Sequence, residues 1–201
     1  MTRILLASRN AKKLKELRRI LDDAGVAGVE IVGLDDVPPY EEAPETGATF
    51  EENALAKARD GAAATGLPCV ADDSGLEVDA LNGMPGVLSA RWSGRHGDDG
   101  ANNALLLAQL GDVPDERRGA RFVSTCALVT PGGSETVVRG EWPGTVNREP
   151  VGDGGFGYDP LFVPEGGTGT AAELTPAEKD AVSHRGRALA LLLAELAALG
   201  G

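Results

Sequence analysis

Two adjacent carboxylates, Asp72 and Asp73, are the strongest candidates in the sequence for acid–base or metal chemistry. The apolar residues before them predict a buried strand, and ligands of α/β sheets bind at the carboxyl ends of strands. Neighbouring acids repel each other, and a bound cation or a shared proton relieves that repulsion. Ser74 and Gly75 follow, so an ordinary turn capped by Asp and Ser fits the same residues. This stretch alone leaves both interpretations open.

A second candidate site lies where the first strand, residues 4–7, meets a helix. Asn10 is a suitable N-cap, and Gly25 is a suitable end for the helix. The apolar residues between them recur at helical spacing: Leu14, Leu17, Ile20 and Leu21. The backbone N–H groups and the helix dipole at such a start attract an anion, and Lys13 can reach back over it. A capped helix with a solvated basic face is the alternative.

A third group of polar residues surrounds the start of the next predicted helix. Residues 36–47 form an acidic, proline-rich loop, and a capping box from Thr49 to Glu52 opens a helix that extends to about residue 65. Asn53 and Lys57 are four residues apart and therefore share a helix face. With Glu45 of the loop they can supply a carboxylate, an amide and an ammonium group to one pocket. An ordinary solvated helix surface is the alternative.

Two later stretches combine polar and aromatic groups. A glycine-rich loop, residues 152–160, contains Phe156 and Tyr158, and an aromatic ring that stacks on a base contributes ~1–3 kcal/mol. Buried aromatic anchors in a long connection explain the loop equally well. His184 and Arg185 lie in the first turn of a last helix capped by Ser183, where cations are unfavourable unless an acceptor-rich group is nearby.

Composition limits the function classes. The 201 residues carry 31 acidic and 19 basic side chains, a net charge of −12, which argues against a broad nucleic-acid-binding face. Cys69 and Cys126 lie in apolar runs, as expected for core thiols of a reducing compartment. The apolar tracts are too short for a signal peptide or a membrane span, so we expect a soluble, cytoplasmic protein without a membrane partner.

The remaining pattern predicts an α/β fold. Strands are expected over residues 29–32 and 76–81, and a β-hairpin over residues 121–129 and 135–142. A helix is expected over residues 101–110. Residues 111–119 then predict a linker that divides two lobes.

Six segments, in this order, resemble the inosine triphosphate pyrophosphatase family. They are Ser8-x-Asn10-x-x-Lys13, the run from Glu45 to Ala58, Ala71-Asp72-Asp73-Ser74-Gly75-Leu76, Ser89-Ala90-Arg91-Trp92-Ser93-Gly94, Gly155-Phe156-Gly157-Tyr158-Asp159-Pro160 and Ser183-His184-Arg185-Gly186. They span residues 8–186, nearly the whole chain. Ser8 stands where relatives often have Thr, and Trp92 where many have Tyr.

The resemblance implies an elongated, two-lobed α/β fold. A central twisted mixed sheet would be flanked by helices, with the active-site cleft between the lobes and the second lobe over roughly residues 112–165. It also implies a homodimer, a Mg²⁺ requirement, and Asp73 as general base, with Glu45 and Asp73 at the metal. The implied substrate-binding residues are Ser8, Arg9, Asn10, Ala11, Lys12, Lys13, Asn53, Lys57, Ser74, Phe156, Gly157, Tyr158, Asp159, Lys179, His184 and Arg185.

The implied reaction is the Mg²⁺-dependent hydrolysis of ITP, dITP and XTP to the monophosphate and pyrophosphate. The residues agree with it, because such a reaction needs charge neutralisation and a positioned water. The P-loop pattern is absent from the sequence. We hypothesise that donors of His184 and Arg185 meet the O6 acceptor of the base and so exclude adenine. Two alternatives stay open: a pyrophosphatase for modified pyrimidine triphosphates, and a nucleotide-binding regulator without turnover.

Overall fold

A computed structural model describes residues 1–42 and 44–201, and these residues form six strands and five α-helices. The strands are β1 (Thr2–Leu6), β2 (Val29–Val32), β3 (Cys69–Val78), β4 (Gly119–Val129), β5 (Glu135–Val146) and β6 (Phe162–Pro164). The helices are α1 (Ala11–Asp23), α2 (Phe50–Thr65), α3 (Asp99–Gln109), α4 (Pro176–Val182) and α5 (His184–Leu199). Strands and helices alternate from β1 to α3, and three strands and then two helices follow.

The strands form one sheet in the order β2-β1-β3-β4-β5-β6. β1 pairs in parallel with β2 and with β3, whereas β6 pairs antiparallel to β5. The parallel neighbours are separated along the chain by α1 or α2, as parallel strands require a crossover connection. This mixed sheet with flanking helices confirms the predicted α/β class.

The chain divides into two compact units. The first unit contains Met1–Asp73, Ser124–Gly140 and Arg185–Gly201, and the second contains Ser74–Val123 and Glu141–His184. Each unit has its own hydrophobic core. The two lobes of the sequence analysis, with a second lobe over residues 112–165, stay a prediction.

The core of the first unit follows from the alternation of side chains along a strand. Ile4 and Leu6 of β1 pack into one cluster with residues of α1 and α5, and Leu5 and Ala7 pack into a second cluster with α2. Successive strand residues point to opposite faces, so the two clusters lie on the two faces of the sheet. α2 approaches its face closely, because a Cβ at Gly61 would meet the Sγ of Cys69 at 2.5 Å.

Aromatic rings dominate the core of the second unit. Phe122 packs edge-on against Phe162 with ring centroids 4.6 Å apart, and it stacks on Trp142 at 6.4 Å. Leu106 and Leu110 at the end of α3 complete this cluster and are fully buried. The large rings compensate for a chain in which only 4% of the residues are aromatic.

The helix starts largely match their predicted caps. At α1, the Asn10 side chain accepts from the Lys12 backbone N–H at 2.9 Å, as predicted. α4 begins with a complete capping box from Thr175 to Glu178. At α2, Thr49 caps as predicted, but the second half of the capping box was wrong. The Glu52 carboxylate accepts from the backbone N–H of Ala48 rather than of Thr49.

Two strand boundaries also differ from the prediction. The strand was expected to end at Asp72 and Asp73, but β3 continues through both to Val78. The turn propensity of Asp, Ser and Gly is overridden because β3 keeps β4 as a sheet neighbour. Beyond Val78, residues expected to extend that strand form a 3₁₀ turn, Asp79–Leu81.

The structure contains the predicted β-hairpin and places both cysteines in the core. The hairpin joins β4 to β5, and the Thr130 N–H donates to the Ser134 carbonyl at 2.9 Å across its turn. Cys69 and Cys126 are buried free thiols. Among the described residues, none of the helices has the length and apolar character that crossing a membrane requires.

Candidate active site

The two adjacent acids lie beyond the carboxyl end of β1. The last paired residue of β1, Leu6, is in register with Val70 of β3, so Asp72 and Asp73 extend past that edge. Both are buried, with 4% and 7% of their surface exposed. Since neighbouring strand residues point to opposite faces, the two carboxylates belong to different surroundings. Asp72 faces α1 and α5, and Asp73 faces α2.

Asp72 is held by two cations. Lys13 Nζ of α1 lies 2.7 Å from Asp72 Oδ2, and Arg185 Nε of α5 donates to the same oxygen at 3.3 Å. Burial alone would raise the pKa of Asp72, but the charges of Lys13 and Arg185 hold that pKa well below its usual range. Asp72 is therefore a fixed anion that joins β3 to two helices.

Glu16 completes this buried network, and sequence analysis missed it. Its Oε2 accepts from Arg185 Nη1 at 2.9 Å, and only 6% of the residue is exposed. Burial lowers the pKa of the Arg185 guanidinium, but Glu16 and Asp72 more than compensate and raise it. A sequence signal was present: Glu16 precedes Leu17 and follows Lys13 by three residues, at the border of the apolar stripe of α1.

Asp73 has different partners, and two of them, Asn53 and Lys57, are residues that the sequence grouped in one pocket. Asn53 Nδ2 of α2 donates to Asp73 Oδ2 at 2.8 Å, and Lys57 Nζ lies 3.9 Å from Asp73 Oδ1. Burial raises the pKa of Asp73, and the nearby Glu45 adds to that increase, although Lys57 and Asn53 oppose it. A carboxylate with a raised pKa in a polar pocket has the character of a general base.

Lys57 links the remaining acid to the same place. Its Nζ donates to Glu45 Oε1 at 2.8 Å and to the Asp72 backbone carbonyl at 2.6 Å. Burial lowers the pKa of Lys57, but the charges of Asp72, Asp73 and Glu45 raise it overall. The expected grouping of Glu45, Asn53 and Lys57 around one point is thus present in the structure.

The donor set around Lys57 suits a hard cation. Glu45 and Asp73 are two carboxylates directed at one ammonium group, which leaves this cluster with one excess negative charge. Mg²⁺ binds to one or two carboxylates and completes its shell with water and substrate phosphates. Among the residues that the structure describes, no group of three or more His, Cys, Asp or Glu side chains is placed to hold a metal ion. Glu45 and Asp73 fit a metal that a phosphate ligand helps to hold.

The turn before α1 holds the residues expected to bind an anion. Asn10 N–H donates to Ser8 Oγ at 3.2 Å, and the Arg9 guanidinium pairs with Glu42. Ala11 and Lys12, at the first positions of the helix, are exposed. Lys13 does not reach back over this turn; it points to Asp72 instead. This turn therefore lies at the same edge of the first unit as the acid pair, with Lys13 joining them.

The second unit contains the other predicted residues. Asp159 accepts from the Phe156 backbone N–H at 2.8 Å and pairs with Lys179 of α4. Lys179 Nζ lies 5.0 Å from the centroid of the Phe156 ring, a cation–π distance. Phe156 is only partly buried. The loop thus presents an aromatic ring beside an ammonium group.

Tyr158 and His184 have a more structural environment. Tyr158 is 4% exposed and its hydroxyl donates to the Ser89 carbonyl at 2.9 Å, so it fits the interpretation as a buried anchor. The His184 ring stacks on Phe122, with centroids 4.8 Å apart and planes 11° apart. Ser74, next to Asp73, begins the second unit.

The predicted residues therefore form two groups. In the first unit, the structure brings together the turn before α1, both acids, and their partners (Ser8, Arg9, Asn10, Ala11, Lys12, Lys13, Glu45, Asn53, Lys57, Asp73 and Arg185). In the second unit lie Ser74, Phe156, Gly157, Tyr158, Asp159, Lys179 and His184. The first group has the acid, amide and cation set that hydrolysis requires.

Comparison with known sequences identifies relatives of the whole chain. The Ham1 family model matches residues 4–195. A dITP/XTP pyrophosphatase of Nocardia farcinica is 86% identical over 199 residues, covering 99% of this chain and 97% of the relative. The dITP/XTP pyrophosphatase of Mycobacterium tuberculosis is 73% identical over 199 residues, with the same coverage.

Solved structures agree with the sequence relatives. A nucleoside-triphosphatase / dITP/XTP pyrophosphatase from Mycobacterium abscessus is 73% identical, with a TM-score of 0.80 over 97% of this chain and all of that chain. A HAM1 protein from Coxiella burnetii is 42% identical, with a TM-score of 0.86 over 98% of both chains. The resemblance found in the six motifs is confirmed.

Proposed function

The chain belongs to the Ham1 family, and on that premise we propose that it hydrolyses ITP, dITP and XTP to the nucleoside monophosphate and pyrophosphate. Its curated relatives make it a hydrolase, a nucleoside triphosphate pyrophosphatase. The observation that carries the residue-level proposal is the division of the acid pair: Asp72 is neutralised by Lys13 and Arg185, whereas Asp73 faces Asn53 and Lys57.

Asp73 acts as the general base in this proposal. It accepts a proton from the water that attacks the α–β phosphoanhydride, and pyrophosphate leaves. The Asn53 amide fixes one carboxylate oxygen at 2.8 Å, which orients the other for the water. Removing such a base typically costs ~10²–10⁴ in rate.

Asp72 is a positioning residue rather than a metal ligand. Its Oδ2 is already shared by Lys13 and Arg185 inside the first unit. Those ion pairs hold the backbone of β3 at the point where Asp73 follows. Arg185 therefore acts through Asp72, which offsets the cost of placing a cation at the start of α5.

Glu45 and Asp73 are the residues that would hold Mg²⁺. When bound, the metal supplies positive charge to the phosphate oxygens, which phosphoryl transfer requires. Lys57 lies near both carboxylates, so it reduces their mutual repulsion and is placed to meet substrate phosphate. The turn of residues 8–13 supplies further backbone N–H groups to the triphosphate.

The loop around Phe156 forms the base subsite. Its ring gives a stacking surface, and Lys179 supplies a donor beside it. Two contacts fix the loop: the Tyr158 hydroxyl donates to the Ser89 carbonyl, and the Asp159 carboxylate pairs with Lys179. The donor beside the ring suits hypoxanthine and xanthine, whose O6 is an acceptor.

Initial rates for ITP, dITP, XTP, GTP, ATP and dTTP with Mg²⁺ test the substrate class. We expect ITP, dITP and XTP to exceed ATP by orders of magnitude in kcat/KM, since a donor facing the adenine N6 donor leaves a buried mismatch. Preference for dTTP would favour the pyrimidine enzyme, and binding without turnover would favour the regulator. The hypothesis that Arg185 itself meets the O6 of the base stays a prediction, because the structure pairs its guanidinium with Asp72 and Glu16. An unchanged ITP-to-ATP preference in Arg185→Ala would contradict that hypothesis and leave Arg185 its positioning role at Asp72.

We further propose that the protein is a cytoplasmic homodimer that binds no nucleic acid polymer. The net charge of −12 supports the last point, and the two buried free thiols support a reducing compartment. The dimer rests on the family resemblance. Static light scattering that gave the mass of a single chain at micromolar concentration would contradict it.

A further inference from the structure

One helix of the second unit grips the loop that carries Phe156. The Gly157 backbone N–H donates to Asp99 Oδ2 at 2.7 Å, and the Gly157 carbonyl accepts from Asn103 Nδ2 at 3.0 Å. Asp99 and Asn103 are four residues apart on α3 and therefore share one face of that helix. Both polar groups of a single loop residue are thus bound by one rigid element.

Gly157 needs this restraint because of its conformation. Its φ is +63°, a left-handed value that glycine adopts without steric cost. Because glycine has no Cβ, the flanking peptides can rotate over a wide range. A Cβ at this position would have no neighbour within 4 Å, so packing does not hold the residue. The two bonds from α3 are what limit rotation about it.

The neighbouring loop residues are fixed by other contacts. The Tyr158 hydroxyl is bonded to Ser89, and the Asp159 carboxylate binds the Phe156 N–H and Lys179. Gly157 is the link between this anchored end and the ring of Phe156. The orientation of the Gly157 peptide, together with the bond from the Phe156 N–H to Asp159, therefore sets the direction in which Phe156 points.

We propose that Asp99 and Asn103 are positioning residues for base recognition, which act by clamping Gly157 and so orienting Phe156. This inference rests on the proposed function, because it assigns the base subsite to the Phe156 loop. The Asn103 bond is partly buried and the Asp99 bond is exposed to solvent, so Asn103 contributes more.

Near-isosteric variants test the clamp. Asn103→Asp replaces the donor with an acceptor that repels the Gly157 carbonyl, and Asp99→Asn keeps an acceptor for the Gly157 N–H. We expect Asn103→Asp to raise the KM for ITP roughly tenfold with little change in kcat, the equivalent of one lost hydrogen bond plus an unsatisfied carbonyl. Asp99→Asn should remain near wild type, while Asp99→Ala shows a smaller KM increase. Ala104→Asn, on the exposed face of α3, is the control for helix propensity.

Hydrogen exchange of residues 155–159 gives a second readout that does not need turnover. Faster exchange in Asn103→Asp than in Ala104→Asn is expected. Unchanged exchange together with an unchanged KM in a folded Asn103→Asp protein would overturn the clamp. If wild type failed to hydrolyse ITP, the proposed function would fail. The clamp would still be tested independently, because equal exchange rates in Asn103→Asp and Ala104→Asn would contradict it.

Discussion

At the scale of single residues, the alternation of a strand assigns different roles to two adjacent acids. Asp72 points toward α1 and α5 and is neutralised there, whereas Asp73 points toward α2, where an amide and an ammonium group face it. The spacing of Asn53 and Lys57 predicted that they share a face of α2, and the structure adds that this face meets Asp73. The partners of Asp72 were not foreseen, because Arg185 lies 113 residues away and its direction depends on where α5 packs.

Glu16 is the residue that most directly tests the buried network around Asp72. Glu16→Ala leaves Arg185 with less compensating negative charge in a buried place, and breaking a buried pair in this way costs about 3–5 kcal/mol. We expect a decrease of that size in the free energy of unfolding, measured by urea denaturation. The matched control is Glu195→Ala, an exposed acid on α5, which should change it by no more than about 0.5 kcal/mol. Equal effects of the two substitutions would contradict the network.

At the scale of elements, α2 is fastened to the β4–β5 hairpin. Glu51 Oε1 accepts from Arg139 Nη1 at 3.0 Å and from Thr125 Oγ1 at 3.2 Å. Arg59 and Glu135 form a two-bond ion pair, with both distances 2.7 Å. Because α2 carries Asn53 and Lys57, these contacts help to position two partners of Asp73, the proposed base.

The Glu51 contact gives a prediction for acid stability. Burial raises the pKa of Glu51, but hydrogen bonds from its own backbone N–H and from Arg139 lower the pKa by more. The pKa of Glu51 is therefore below its ordinary value. A group with a lowered pKa in the folded state stabilises above its unfolded pKa of ~4.3 and loses that contribution as the pH falls. The advantage of wild type over Glu51→Gln should therefore be largest at neutral pH, no more than ~1 kcal/mol for this part-exposed pair, and diminish at lower pH.

Urea denaturation of both proteins at neutral and acidic pH checks this expectation. Glu195→Gln controls for the loss of any one carboxylate. If the difference in unfolding free energy between wild type and Glu51→Gln stayed constant from neutral to acidic pH, the ion pair would be excluded as its source.

Elements were easier to predict than their ends. Periodicity and caps located α1, α2, α3 and α5, and β2 was predicted with its observed bounds. The strand that carries the acids was cut short because Asp, Ser and Gly are typical of turns. Sheet pairing overrode that local preference, which depends on a neighbour, β4, about 50 residues further along the chain.

At the scale of the whole molecule, six weak motifs in a fixed order predicted the family, and the comparisons confirmed it. The pattern of strands and helices predicted the α/β class, which the structure confirms. The absence of a nucleic-acid-binding face, argued from the net charge of −12, stays a prediction. The clamp on Gly157 was beyond sequence reasoning. Asp99 and Asn103 resemble ordinary helix-surface residues until the loop 54 residues further on packs beside them.

The identity of the phosphate product from ITP tests the proposed reaction and its base, Asp73, most directly. Wild type and Asp73→Asn would be incubated with ITP and Mg²⁺, and pyrophosphate and orthophosphate would be quantified separately. With Asp73 as the general base, wild type should release pyrophosphate and IMP in equal amounts. The rate of pyrophosphate release should fall ~10²–10⁴-fold in Asp73→Asn. Orthophosphate as the primary product, or an Asp73→Asn enzyme as fast as wild type, would contradict this mechanism.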